Sequence, residues 1–387
     1  MDRRQLLKAL AAAPLAATVP AWARDAAQPR RLLVLVYLHG GNDGFNTWVP
    51  YTDALYYKLR PTIAVPRDAV LKLTDAHGLH PSLAPLLPAW EAGHLALLQG
   101  VGYPGVTQQH YRDTEIAFTG SDQEVGRDGW ISRAFASAAL ARGNGPQALA
   151  FDVLDIQAAD PMGPFRGESM AVVQVHHARE LLIKRRVADC ALVANNHGAQ
   201  RLAQAPSLPP STLRTRFADD PFGEAMRAAV ELAAADRDLP VIHVTLNGLD
   251  GDKHHSVDTH WKQLEHHGEA LKRLAEGLAA LRTGLIEIGR WDETLVATYD
   301  EFGRSPVENE DRGTHHGHAT THFILGGCVK GGLIGTAPKV ERVFRVGGPA
   351  PSIDTRRLWT TVADRWWGID AAGVFGRRYD PLDLLRS

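Results

Sequence analysis

The chain has 387 residues, of which 44% are hydrophobic and 22% charged, the balance of a globular protein with enough apolar material for a large core. That composition excludes a disordered tail, a collagen and a coiled coil, and a net charge of −2 supplies no basic field to attract nucleic acid or an anionic membrane surface. The unusual count is 18 histidines beside 2 cysteines and 4 methionines, with nine of the histidines inside residues 254–267 and 315–322. Metal or acid–base chemistry is to be sought there.

The amino terminus reads as an export address. Arg3-Arg4-Gln5-Leu6-Leu7-Lys8 precedes an apolar, proline-interrupted stretch from Ala9 to Pro20 and then Ala21-Trp22-Ala23, the layout of a twin-arginine signal peptide read by the translocation machinery. Residues 1–23 are therefore set apart from residues 24–387, which are expected to form one domain, periplasmic or secreted. Beyond the signal the longest apolar run is Leu32–Leu38, far below the ~18 residues of a membrane-spanning helix; no span is expected after cleavage. Cys190 and Cys328 could pair in an oxidising compartment, and nothing in their spacing decides it.

The first element is Leu32–Leu38, a continuous apolar run of the kind found in strands buried on both faces. Similar runs follow at Leu95–Val101, Ala171–Val175, Val241–Leu246, Thr294–Tyr299 and His322–Leu325. Amphipathic segments alternate with them at 222–235, 260–288 and 355–367; in the second, Leu264, Leu271, Leu274, Leu278, Leu281, Leu285 and Ile288 recur at spacings of 3, 4 and 7, one face of a helix. This alternation predicts an α/β domain with a mostly parallel sheet, whose function belongs in the loops at the carboxyl ends of the strands.

Those loops carry the chemistry. Asp43 closes the first strand within His39-Gly40-Gly41-Asn42-Asp43-Gly44, where glycines permit close backbone approach. The window Asp250 to His260 packs three carboxylates and three imidazoles into eleven residues, a ligand set for Zn²⁺ or, with carboxylates dominant, for Mn²⁺ or Mg²⁺. A second cluster, Thr314-His315-His316-Gly317-His318, offers three imidazoles in four positions. Glu301 and Asp300 follow the strand ending at Tyr299 and point to opposite sides if strand geometry continues. Arg304 could pair with one of these carboxylates or clamp an anionic substrate. His266, His267 and His322 read as structural, the first two on a solvated helix face and the third against the sheet.

Several segments, in order, resemble a bacterial family of exported proteins described only as a domain of unknown function and grouped with the alkaline phosphatase and sulfatase superfamily. They are His39–Gly44, Leu55–Pro61, Gly78–Pro81, Gly100–Pro104, Gly129–Arg133, Asp258–His260, Glu301–Arg304 and Gly326–Gly332. The resemblance implies an αβα sandwich that holds two divalent metal ions (Zn, Mn, Mg or Ca) and hydrolyses phosphate-type or other anionic esters. By position it makes Asp43 the first-strand metal ligand, places Glu301 where the superfamily has a ligating Asp, and gives Asp258 and His260, together with His316 or His318, to the other metal. Asp250 and His254 stand as the alternative pair, being spaced by four. It brings His110 to the place of the nucleophile, as ligand, nucleophile or general acid, with Thr107 the nearest hydroxyl and Arg304 or Arg133 left to orient the anion. A formylglycine sulfatase is excluded, because neither cysteine is followed by x-Pro-x-Arg. Phe302 occupies a superfamily histidine position and Gln109 a family serine position, which keeps a second class open: a binding or assembly protein with a degenerate site.

Overall fold

Every residue of the run Leu32–Leu38 is at most 1% exposed, and alternate residues face two different cores. Leu32, Val34, Val36 and Leu38 join one with Phe222, Leu271, Leu274 and Leu278. Leu33, Leu35 and Tyr37 join the other with Phe118, Trp130 and Trp359. A strand that buries both faces needs a helical layer on each side, and the computed structural model is that three-layer αβα sandwich. It describes residues 30–122, 127–137, 144–151, 162–246, 257–341 and 347–386. Residues 1–23, expected to be a signal peptide, and the alternative ligands Asp250 and His254 lie outside the described residues.

The main strands are β1 (Leu32–Leu38), β2 (Leu95–Gly102), β3 (Ala148–Phe151), β4 (Val172–Val175), β5 (Ala191–Ala194), β6 (Val241–Leu246), β7 (Thr294–Tyr299), β8 (Arg304–Glu308), β9 (Thr314–His316), β10 (Thr320–Leu325) and β11 (Gly332–Gly335). All but β8 and β9 join one sheet in the order β11-β2-β10-β7-β1-β6-β3-β4-β5. The centre, from β7 through β1, β6 and β3 to β4, is parallel. The sheet is mostly parallel, as expected; β10 runs antiparallel to both neighbours and β5 antiparallel to β4. β8 and β9 form a separate antiparallel ribbon.

Register decides where the loops meet. Tyr37 of β1 lies beside Tyr299 of β7, and Leu38 beside Leu246 of β6. Three strands thus end level, and the loops that follow them emerge side by side. Because β10 is antiparallel, its first residue Thr320 pairs with Val101 near the carboxyl end of β2. The histidines just before β10 and the helix just after β2 are carried to the same edge.

The helices that matter here are α1 (His110–Thr119), α2 (Pro221–Ala235) and α3 (Gln263–Glu287). In α3, Leu271, Leu274, Leu278, Leu281 and Leu285 are buried as the spacing requires, but Leu264 is 42% exposed. In the first turn the inward face falls instead on Gln263 and His267, both buried. The helix turns polar where it reaches the site, so His267, expected on a solvated face, is a core residue. His322 is buried in the sheet as expected, with Nε2 3.3 Å from Asp300 Oδ1. Both cysteines are free. No helix among the described residues is long and apolar enough to cross a membrane.

Candidate metal centre

Two close approaches of backbone bring the strand-end loops together. Gly40 has φ +108, and a Cβ there would stand 2.4 Å from the Cβ of Asp258, so only glycine lets the loop after β1 lie against that after β6. Gly317 is pressed against the backbone of Arg304, where a Cβ would meet the carbonyl carbon at 2.4 Å. This contact folds the histidine loop back over the β8–β9 ribbon, in which Arg304 pairs with His316.

Four side chains converge as a result: His110, Asp258, His260 and His316 each present a ligand atom, all within 4.8 Å of one another. His260 Nε2 is 3.0 Å from His316 Nε2 and 3.0 Å from Asp258 Oδ1, and His316 Nε2 is 3.7 Å from the same oxygen. An ion with tetrahedral bonds of ~2.1 Å sets neighbouring ligand atoms roughly 3.4 Å apart, and this triangle brackets that edge. His110 approaches from the other side of the carboxylate, its Nε2 3.6 Å from Asp258 Oδ2. The donors of the triangle, two imidazoles and one carboxylate with a third imidazole facing them, suit zinc better than magnesium or calcium.

For His110 and His316, outer partners fix which ring nitrogen turns inward. His110 Nδ1 is 2.8 Å from Glu301 Oε1, and His316 Nδ1 is 2.7 Å from the carbonyl oxygen of Gln108. A carboxylate and a carbonyl only accept, so both Nδ1 atoms carry the proton and both Nε2 atoms present lone pairs to the centre. Burial lowers the pKa of His316, against the opposing contact with Asp258, which favours the neutral ring a metal needs. Burial pushes the Asp258 carboxyl up, but the Arg304 guanidinium and the contacts with His260 and His316 outweigh it and hold it well below the usual carboxylate range.

The remaining expected site residues are placed as follows. Glu301 is buried behind His110 and also accepts from Gly40 N at 3.0 Å and Tyr37 OH at 3.0 Å. Arg304 is wholly buried; it donates to Asp258 and to the carbonyl oxygens of Gly40 and Gly41. His318 lies beside the group, its Nε2 2.7 Å from Gln108 Nε2. Thr107 Oγ1 donates to Asp113 Oδ1 at 2.9 Å, and the same carboxylate accepts from the backbone of Thr107 and Gln109, fastening the start of α1. Arg133 donates to the carbonyls of Val374 and Thr119.

Asp43 is not among the converging four. It caps the short helix Gly44–Thr47 and receives both guanidinium nitrogens of Arg60, at 2.6 and 3.1 Å, together with Gln263. Burial alone would raise this carboxyl; the charge of Arg60 and its hydrogen bonds hold it below the ordinary value. Sequence reasoning missed Arg60, Gln263 and Gln108. Arg60 sits in a segment singled out only for its resemblance. Gln263 had a signal, since it precedes His267 by one helical turn on the inward face.

The profile of one family, described as Protein of unknown function (DUF1501), matches residues 30–374. No curated protein matches the sequence. Among solved structures with a similar course of chain is the lipoteichoic acid synthase LtaP from Listeria monocytogenes, with 11% identity, 93% of this chain and 76% of that one covered, and a TM-score of 0.37. A sulfatase from Pseudoalteromonas sp. has 11% identity, coverages of 99% and 75% and a TM-score of 0.42. A phosphonate monoester hydrolase from Silicibacter pomeroyi has 12%, 91%, 78% and 0.38.

Proposed function

Since the chain belongs to the family Protein of unknown function (DUF1501), a description that names no activity, we propose from its site that it is an exported hydrolase of phosphate-type or other anionic esters dependent on one divalent metal ion. The observation that carries the reading is the convergence of His260, His316 and Asp258 at tetrahedral spacing, with His110 at the open side. Three protein ligands with one position left free is the arrangement of a catalytic rather than a structural zinc site. A divalent ion there would polarise the scissile group and lower the pKa of a water molecule.

The chain's own residues supply the rest. His110, with its Nδ1 proton on Glu301, presents Nε2 at the free position, placed to accept or return a proton there. The Glu301 carboxylate steadies the ring when that proton arrives, and Tyr37 and Gly40 fix the carboxylate in turn. Arg304 neutralises Asp258 and anchors it to the loop after β1. One ion is proposed instead of two because the described residues bring together one such group of ligand atoms and no second one around the other carboxylates at this edge. Asp43 is neutralised by Arg60, and Asp300 accepts from Asn42 N, Thr320 and His322.

The engagement of Asp43 by Arg60 also favours a second reading, a sulfatase-like fold kept as a binding or assembly protein. Metal content and turnover separate the two. The hydrolase reading expects about one equivalent of zinc after reconstitution, lost in His260→Ala and kept in His110→Ala, with turnover of aryl phosphate mono- or diesters lost in both. Less than half an equivalent of any divalent metal in the wild type refutes it; one equivalent without turnover of any ester in the panel selects the second reading.

A further inference from the structure

The two histidines of His316-Gly317-His318 face one residue from α1's leading turn, and that residue has an unusual backbone. Gln108 has φ +63, a left-handed conformation that a non-glycine side chain adopts at a cost of about 1 kcal/mol or more. Its cause is visible. Asp113 reaches back from the first turn of α1 to take the N–H groups of Thr107 and Gln109, at 3.0 and 3.2 Å, and the residue between them is forced to turn. That turn aims the Gln108 carbonyl at His316 Nδ1, 2.7 Å away, and its side-chain amide at His318 Nε2, also 2.7 Å away.

We infer that Gln108 is the positioning residue of the metal centre, sorting the two histidines so that His316 ligates and His318 does not. Its carbonyl, which can only accept, keeps the proton of His316 on Nδ1 and turns Nε2 toward Asp258 and His260. Its amide occupies Nε2 of His318 and withholds that nitrogen from the ion. The inference rests on the metal reading above for its purpose, but the sorting is a property of the protein's own rings. Asp113 is the distant anchor, because releasing it would remove the reason for the left-handed turn.

Backbone and side chain are separable here. Gln108→Gly tolerates φ +63 and keeps the carbonyl in place while losing the amide; zinc affinity in the full chain is expected to fall less than in the proline variant, with His316 still protonated on Nδ1 and His318 Nε2 released from its partner in the nitrogen-15 spectrum. Gln108→Pro locks φ near −65° and takes the carbonyl away; affinity is expected to fall about 10- to 100-fold, the usual range for a lost outer partner. Because the proline variant can fail to fold, the deciding measurement is the nitrogen-15 spectrum of the wild-type rings: His316 protonated on Nδ1, with and without zinc. His316 protonated on Nε2, or a glycine variant as impaired as the proline one, overturns the inference. A wild type that binds no zinc yet shows His316 protonated on Nδ1 refutes the metal reading and leaves the sorting intact.

Discussion

Replacing Glu301 separates a role in folding from a role in the chemistry. The carboxylate is at most 1% exposed and accepts from three donors: His110 Nδ1, Gly40 N and Tyr37 OH. In Glu301→Ala, Tyr37 keeps a partner in Thr114 Oγ1 at 3.2 Å, but His110 Nδ1 and Gly40 N are stranded. At about 1–3 kcal/mol for each buried donor, the loss is about 2–6 kcal/mol, a large fraction of a typical domain's stability. In Glu301→Gln the amide oxygen serves the same two donors, and its NH₂ group donates to Tyr37, whose own proton turns to Thr114. Only the charge is lost, and weakening a charge-assisted bond to a neutral one costs about 1 kcal/mol. Urea unfolding should therefore rank wild type, Gln and Ala in that order, with Gln near wild type. Zinc titration should give one equivalent for Gln, since Glu301 is not a ligand, while ester turnover falls roughly 100-fold as His110 loses the charge that steadies its protonated form. A Gln variant that loses its zinc, or that unfolds as readily as Ala, refutes this division of roles.

Other consequences can be checked on the same protein. His243 is fully buried, with Nε2 2.7 Å from Tyr299 OH, and burial lowers its pKa to about 3. A folded pKa below the unfolded ~6.5 means that its contribution is complete above pH 6.5 and is lost as pH falls toward 3. From pH 7.5 to 5 that is about 2 kcal/mol, and His243→Gln should flatten the urea-derived stability profile by that amount. Arg60→Met leaves Asp43 buried without its cation and should cost about 3–5 kcal/mol, measured by the same unfolding, while the zinc count stays at one. Removing zinc with a chelator, from a free concentration a hundred times its Kd, should lower stability by about 2.7 kcal/mol, and His260→Ala should abolish that difference.

Local pattern was enough for much of the architecture. Runs such as Leu32–Leu38 and Thr294–Tyr299 became strands at the same limits, because a strand buried on both faces leaves an unbroken apolar run that nothing else of that length requires. The loops that carry the chemistry were legible for the same reason, since polar, glycine-containing stretches follow such strands where the sheet ends. Short strands such as Ala148–Phe151 and Ala191–Ala194 were not, being too brief to stand out from their surroundings. Nor was the antiparallel course of β10, which is set by its pairing with β2 and not by its own residues.

The sequence by itself determined that carboxylates and imidazoles gather at one edge of a largely parallel sheet. Only the tertiary structure decided which of them share a centre. Asp43 and Asp258 are both carboxylates at the ends of central strands, yet Arg60, seventeen residues on, claims the first, whereas two histidines and Arg304 surround the second. His316 and His318 differ by two positions, and a left-handed turn at Gln108 gives their ring nitrogens opposite duties. Spacing along a chain fixes which residues can meet; charge pairing and hydrogen bonds from distant segments choose among them, because each buried polar atom binds the partner that the fold brings within about 3 Å.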